Sequence, residues 1–289
     1  MDFSKVLIRS SDFYKLTVTP RDKDAKANGG LSATAKTFLR GIYRQMVFSR
    51  QTDISSKYLE HGIYGEGFAI TMLSLHLKKM LRKNDQRLYN DFISGEPDVF
   101  IGKEITKSEE GFDTKCSWSI ETLPFRSDDL DIKYYWQDMC YMWLTNAPKW
   151  STAYCLVNHS ATDIIRQKQN LWYKLGCDNS EENLPKYITG ASEIERNTIY
   201  NKSEFLKYNP NYDFDCKDWV YDMEMEDRIR IYPVKRNEQA IELIKTKVQQ
   251  AREYLALLHQ QEKRNPGIVL LNGDNINGHS VLVAEKEGF

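Results

Sequence analysis

With 289 residues, 41 % of them hydrophobic and 28 % charged, the chain has enough apolar material for one large folded domain or two small ones, and is not a disordered or low-complexity protein. Its 40 Lys and Arg against 41 Asp and Glu leave a net charge of -1. That excludes a protein that coats nucleic acid through bulk charge, while a local basic channel is still allowed. No apolar run approaches the roughly 20 residues needed to span a bilayer. Asp2, Lys5 and Arg9 interrupt the stretch where a signal peptide would carry its apolar core, so the expectation is a cytoplasmic protein without a membrane segment.

In chain order, Val6-Leu7-Ile8-Arg9 reads as a short first element, and Ser10-Ser11-Asp12 as the cap of a helix opening at Phe13-Tyr14-Lys15-Leu16. A capped helix start offers free backbone N–H groups that suit a phosphate, and a plain N-cap beside a solvated Arg9 accounts for the same residues. Residues 20–30, with Gly29-Gly30, form a loop. Phe38, Ile42, Met46 and Val47 recur at helical spacing and predict an amphipathic helix from Leu31 to Arg50. A short helix is expected at 53–60. A second helix opens at Gly62-Ile63-Tyr64-Gly65-Glu66 and continues through Ile70, Leu73, Leu75 and Leu77. The basic run Lys78, Lys79, Arg82, Lys83 and Arg87 that follows reads as a solvated face, or as a wall for a nucleic-acid backbone.

Between Asn90 and Ile101, turn formers break an apolar run at Gly95-Glu96-Pro97-Asp98, which predicts strand, kink, strand. Fifteen residues after Asp98 comes Phe112-Asp113-Thr114-Lys115. Side chains two apart on a strand leave the same face, so Asp113 and Lys115 point together. A charged turn at 103–111 joins the two strands. An acidic loop then leads to a helix carrying Gln137 and Tyr141, four apart and therefore on one face. Thr152 to Asn158 reads as a strand buried on both faces.

Residues 160–226 predict helices at Ile164–Leu175 and Ser192–Lys207, an insertion or lobe on the core, to which no chemistry is assigned. Arg228 to Val234 alternates as an edge strand ended by Pro233. The longest helix is expected over Asn237–Gln261, with Ala240, Ile241, Ile244, Val248, Ala251, Tyr254, Leu255 and Leu258 on one stripe. The tail from 263 to 289 reads as a hairpin. Residues 1–262 would then be a single domain. Cys116, Cys140, Cys155, Cys177 and Cys216 are odd in number and never form a C-x-x-C pair, so free thiols are expected. His61, His76, His159, His259 and His279 show no ligand spacing.

Two carboxylates and an ammonium converging on one volume have a chemical use. Hard divalent cations take carboxylate oxygens and keep several waters, and a lysine beside them can orient or deprotonate a water and offset charge on a phosphate. Pro97-Asp98 with Asp113-Thr114-Lys115 resembles the P-D…(D/E)-x-K signature of the PD-(D/E)xK nuclease superfamily. Gln137 and Tyr141 resemble the Q-x-x-x-Y motif of its RecB-like and lambda-type members, including YqaJ-like viral recombination exonucleases. Glu66 stands where that family's helix supplies another carboxylate, and Arg9-Ser10-Ser11 resembles its terminal-phosphate segment, although Tyr14 replaces a glycine there.

The resemblance implies an α/β fold with a restriction-endonuclease-like core, a mixed central sheet flanked by helices. It implies a deoxyribonuclease using Mg²⁺, or Mn²⁺ in its place, held by Asp98, Asp113, Thr114 and Glu66. Asp98, Asp113, Lys115, Glu66 and Gln137 would be catalytic, and Arg9, Ser11, Gln137 and Tyr141 would contact DNA. The implied activity is exonuclease digestion of duplex ends, 5′ to 3′, by a homo-oligomer such as a ring-forming trimer, which hands the exposed strand to a single-strand annealing recombinase. An endonuclease of the same fold and a non-catalytic DNA-binding or inhibitory protein on that scaffold stay open.

Overall fold

The computed structural model describes residues 1–51, 55–176, 180–214 and 222–264. Its strands are β1 (Ile8–Arg9), β2 (Arg82–Lys83), β3 (Leu88–Tyr89), β4 (Ile93–Gly95), β5 (Val99–Ile101), β6 (Glu110–Cys116), β7 (Lys149–Cys155) and β8 (Ile229–Lys235). Its helices are α1 (Tyr14–Thr17), α2 (Lys23–Ala27), α3 (Ala33–Phe48), α4 (Lys57–Leu77), α5 (Ile132–Thr145), α6 (Ala161–Lys174), α7 (Asn183–Thr198), α8 (Lys202–Tyr208) and α9 (Glu238–Arg264). The expected tail hairpin, Cys177, Cys216 and His279 lie outside the described residues. No helix among those described is long and apolar enough to cross a membrane.

The central sheet is mixed, in the order β2-β5-β6-β7-β8. Within it β6 and β7 run parallel, and α5 makes the crossover between them, as parallel strands require. A small second sheet, β1-β4-β3, lies beside it. On one face of the central sheet, Leu73 of α4 packs on Val99, Phe112 and Ala153, while Ala69 and Met72 pack on Cys155 and Ile229. On the other, Trp136 and Met139 of α5 join Trp150 and the stripe Ala240, Ile244, Val248, Ala251, Leu255 and Leu258 of α9. Strand alternation therefore sends Phe112 and Cys116 toward α4, and Gly111 and Asp113 toward α5.

Close packing at Gly111 fixes the start of β6. A Cβ at this position would sit 2.0 Å from the indole of Trp150, its register partner on β7. Trp150 is fully buried and has nowhere to move. Gly111→Ala is therefore expected to destabilise the fold by roughly 3 kcal/mol or more, at the upper end of overpacking costs, and denaturant titration of the two proteins measures it. Equal stability would show that the sheet and α5 can part at this point.

Several boundaries differ from the sequence expectation. The helices expected at 53–60 and from Gly62 are one helix, α4. Ser56 caps it by accepting from Leu59 N at 3.2 Å, and it ends where Lys78 turns left-handed at φ 54°. The Ser10-Ser11-Asp12 segment is a single 3-10 turn with no side-chain cap, so Ser11 caps nothing. Ser10 instead donates Oγ to Ser94 O at 3.0 Å, tying β1 to β4. Strand β8 passes through Pro233, which an edge strand tolerates because the missing N–H can face outward. The single helix expected over Ser192–Lys207 is two, α7 and α8. The break is held by Asn158 Oδ1, which accepts from Tyr200 N at 2.7 Å, and by Asn201, which caps α8.

Candidate active site

At the end of β6, a cleft of about 560 Å³ opens between α4 and α5, with Asp98, Asp113, Lys115 and Glu66 in its wall. Pro97 and the kink before β5 place Asp98 beside β6. There its Oδ2 accepts both the backbone N–H and the hydroxyl of Thr114, at 2.7 and 2.9 Å. Asp113 is only 1 % exposed. Its Oδ1 accepts from Gln137 Nε2 at 3.2 Å, and its Oδ2 faces the ammonium of Lys115, with which it pairs. Asp98, Asp113 and Lys115 are thus brought together, and Thr114 fixes Asp98 while Gln137 fixes Asp113.

Gln137 also donates to Tyr141 Oη at 2.9 Å, and Tyr141 donates to Glu96 O at 3.3 Å. Both side chains are buried, at 6 % and 4 % exposure. Both also line the cleft, so their polar atoms hold Asp113 and Glu96 from its wall. Glu66 lines the cleft from α4, and Gly65 permits the approach, since a Cβ there would meet Val157 Cγ2 at 2.7 Å and Cys116 Sγ at 2.8 Å. Glu66 pairs with Lys83 at 3.0 Å. Arg9 and Ser11 are exposed and lie outside the cleft's lining.

One carboxylate went unread in the sequence. Asp138, fully buried on α5, accepts from Thr152 Oγ1 at 2.9 Å, and its Oδ1 has no hydrogen-bond partner among the described residues. The available signal was its place between Trp136 and Met139, where helical spacing buries whatever side chain is present.

Burial, then the charge of Asp113, pushes the carboxyl of Asp98 up to about 7. Burial likewise raises Asp113 and, with Asp113 as second cause, raises Asp138 well above the carboxylate range. Burial works against the charge on Lys115, but Asp113 and Asp98 outweigh it and hold the ammonium protonated. The Lys115 ammonium therefore stands as a donor beside Asp113.

This cluster sets a pH dependence. An acid whose folded pKa lies above its unfolded value binds more protons when folded, so its contribution to stability falls as pH rises between the two values. The metal-free protein is expected to lose stability from about pH 4 to about pH 7 through Asp98. Asp98→Asn should flatten that slope. Thermal melts at stepped pH in chelator check this, and a slope of the opposite sign in this window would overturn it.

The donor set fits a hard cation in a limited way. Among the described residues, no three His, Cys, Asp or Glu side chains are gathered to hold a metal ion. Two carboxylates, Asp98 and Asp113, converge, and that suffices for Mg²⁺, which keeps several waters and needs one or two carboxylates. The hydroxyl of Thr114 is spent as a donor to Asp98, which leaves its carbonyl as the oxygen it could offer.

No protein-family model matches the chain, and no curated protein does. Solved structures do resemble it. A phage-related exonuclease from Haemophilus somnus 129PT superposes with a TM-score of 0.62 at 21 % identity, over 89 % of this chain and 96 % of that one. An alkaline exonuclease from Laribacter hongkongensis gives 0.52 at 11 % identity, over 90 % and 93 %. The same enzyme solved in complex with dAMP gives 0.52, over 89 % and 92 %. These likenesses establish the architecture: the chain has the mixed α/β fold of these exonucleases, the fold that Pro97-Asp98 and Asp113-Thr114-Lys115 implied.

Proposed function

We propose that this protein is a Mg²⁺-dependent DNA exonuclease, and the observation that carries the reading is the joining of Asp98, Asp113 and Lys115 in one cleft of an exonuclease fold. Asp98 and Asp113 would hold the ion, with the Thr114 carbonyl and Glu66 as further oxygens. When bound, such an ion polarises the phosphate and lowers the pKa of a coordinated water. Thr114 and Gln137 hold the two carboxylates in place, and Lys115 orients the attacking water and offsets charge on the phosphate. The ring of Tyr134, its centroid 5.0 Å from Lys115 Nζ, adds a cation–π contact that helps hold the ammonium in place.

By the resemblance of Pro97-Asp98, Asp113-Thr114-Lys115 and the Gln137 and Tyr141 pair to the lambda-type motifs, the substrate is a duplex end, digested 5′ to 3′. The chain would act as a ring-forming homo-oligomer, with a single-strand annealing recombinase receiving the exposed strand. Digestion of end-labelled linear and of closed circular duplex, with Mg²⁺ and with chelator, tests the reading. Loss of linear DNA alone supports it. Nicked circles would make it an endonuclease, and a mobility shift without cleavage a binding module.

The end of the DNA gives a second test. Arg9 is exposed on β1, beside the β4 strand that leads to Asp98. A guanidinium there suits a terminal phosphate. Arg9→Ala is expected to erase a preference for phosphorylated over hydroxyl ends without changing metal dependence. Equal digestion of both ends by the unaltered protein would return Arg9 to a surface role.

A further inference from the structure

The basic run that the sequence offered as a wall for DNA is largely neutralised in the fold. Lys79 pairs with Glu110 at 3.6 Å, Lys83 with Glu66 at 3.0 Å and Arg87 with Glu96 at 2.8 Å. Cationic surface collects elsewhere. Residues 21–51 hold seven Lys or Arg and two Asp or Glu, a balance of +5 in a chain whose total is -1. Helix α3 contains no acidic residue, and it carries Lys36, Arg40 and Arg44 four apart, on one exposed stripe. None of the three makes an ion pair among the described residues. Folding does not require them, since α3 docks through Ala35, Leu39 and Tyr43 on the neighbouring face.

We propose that the Lys36–Arg40–Arg44 stripe of α3 is a backbone-binding track for duplex DNA, outside the catalytic cleft. The proposal rests on the exonuclease reading and adds to it where the undigested duplex lies. Eight residues of helix span about 12 Å at 1.5 Å each, a length over which one DNA strand presents three to four phosphates at about 3.4 Å of axis per charge. The surface between the cations is low. Ala33 and Thr37 are small and exposed, and Gly41 follows Arg40. A glycine inside a helix costs about 1 kcal/mol relative to alanine, and a Cβ at Gly41 would meet nothing within 4 Å, so packing does not demand it. The missing side chain leaves room for a polyanion to lie close along the helix. Such contacts are to phosphates, so the track is blind to sequence and holds the duplex while the cleft works on its end.

The test uses the full chain with Lys36→Gln, Arg40→Gln and Arg44→Gln combined, all at exposed positions. Binding of a blunt duplex is measured in chelator over a salt series. Every cation that neutralises a phosphate adds about 0.9 to the slope of log K against log salt, so taking away three should reduce the variant's slope by about 2.7. Cleavage of a thymidine dinucleotide with Mg²⁺ should stay unchanged. A control variant, Lys174→Gln, Lys186→Gln and Lys207→Gln, makes the same change of net charge on α6, α7 and α8. The track is overturned if the stripe variant keeps the wild-type slope, or if the control lowers it equally. It is also overturned if the stripe variant loses only the binding of an acidic protein. Failure of the unaltered protein to cleave linear duplex would sink the exonuclease reading separately, because the salt slope is read without metal.

Discussion

Asp113→Asn is expected to lower cleavage by on the order of 10³-fold or more while the protein stays folded. Lewis-acid stabilisation of a phosphate is worth several kcal/mol, and each 1.4 kcal/mol is tenfold in rate. The substitution removes one of the two carboxylates that converge among the described residues. It keeps the shape of the side chain and an oxygen to accept from Gln137 Nε2, which lies 3.2 Å from Asp113 Oδ1. Relief of the repulsion between two buried carboxylates offsets the missing pairing with Lys115, so the melting temperature in chelator should change little near pH 7. Single-turnover digestion of labelled duplex, with the melt run in parallel, checks both halves. Wild-type activity in the variant would refute the site. A collapsed melt would move Asp113 from chemistry to structure.

Lys115→Ala should cost roughly 10²-fold or more in rate, the scale seen when one preorganised donor to developing charge is removed. Duplex affinity in chelator should change far less. The side chain ends inside the cleft, paired with Asp113 and beside Tyr134, where few phosphates of a bound duplex can reach it. Equal losses in rate and affinity would make Lys115 a phosphate contact only.

What could be read along the chain was whatever depends on near neighbours. Two-residue periodicity placed Asp113 and Lys115 on one face of β6, and four-residue spacing placed Gln137 and Tyr141 on one face of α5. The apolar stripe of α9 was visible for the same reason, since seven of its eight residues are buried on a single helix face. Pro97 marked the kink that turns Asp98 toward β6.

What could not be read depends on residues far apart in sequence. What Gln137 and Tyr141 bind follows from how α5 is pressed against β6 and β4: Gln137 donates to Asp113, and Tyr141 to Glu96 O, 45 positions away. The partner of Asp138 could not be read either, since Thr152 reaches it from β7, 14 positions along the chain. The basic run after α4 keeps its charge as a string of letters, yet loses most of its field once Glu66, Glu96 and Glu110 are folded against it. Local periodicity determined which side chains share a face. Packing of distant elements decided which of them meet an opposite charge, because a Coulomb pair forms only within a few ångströms and sequence spacing is silent on that distance.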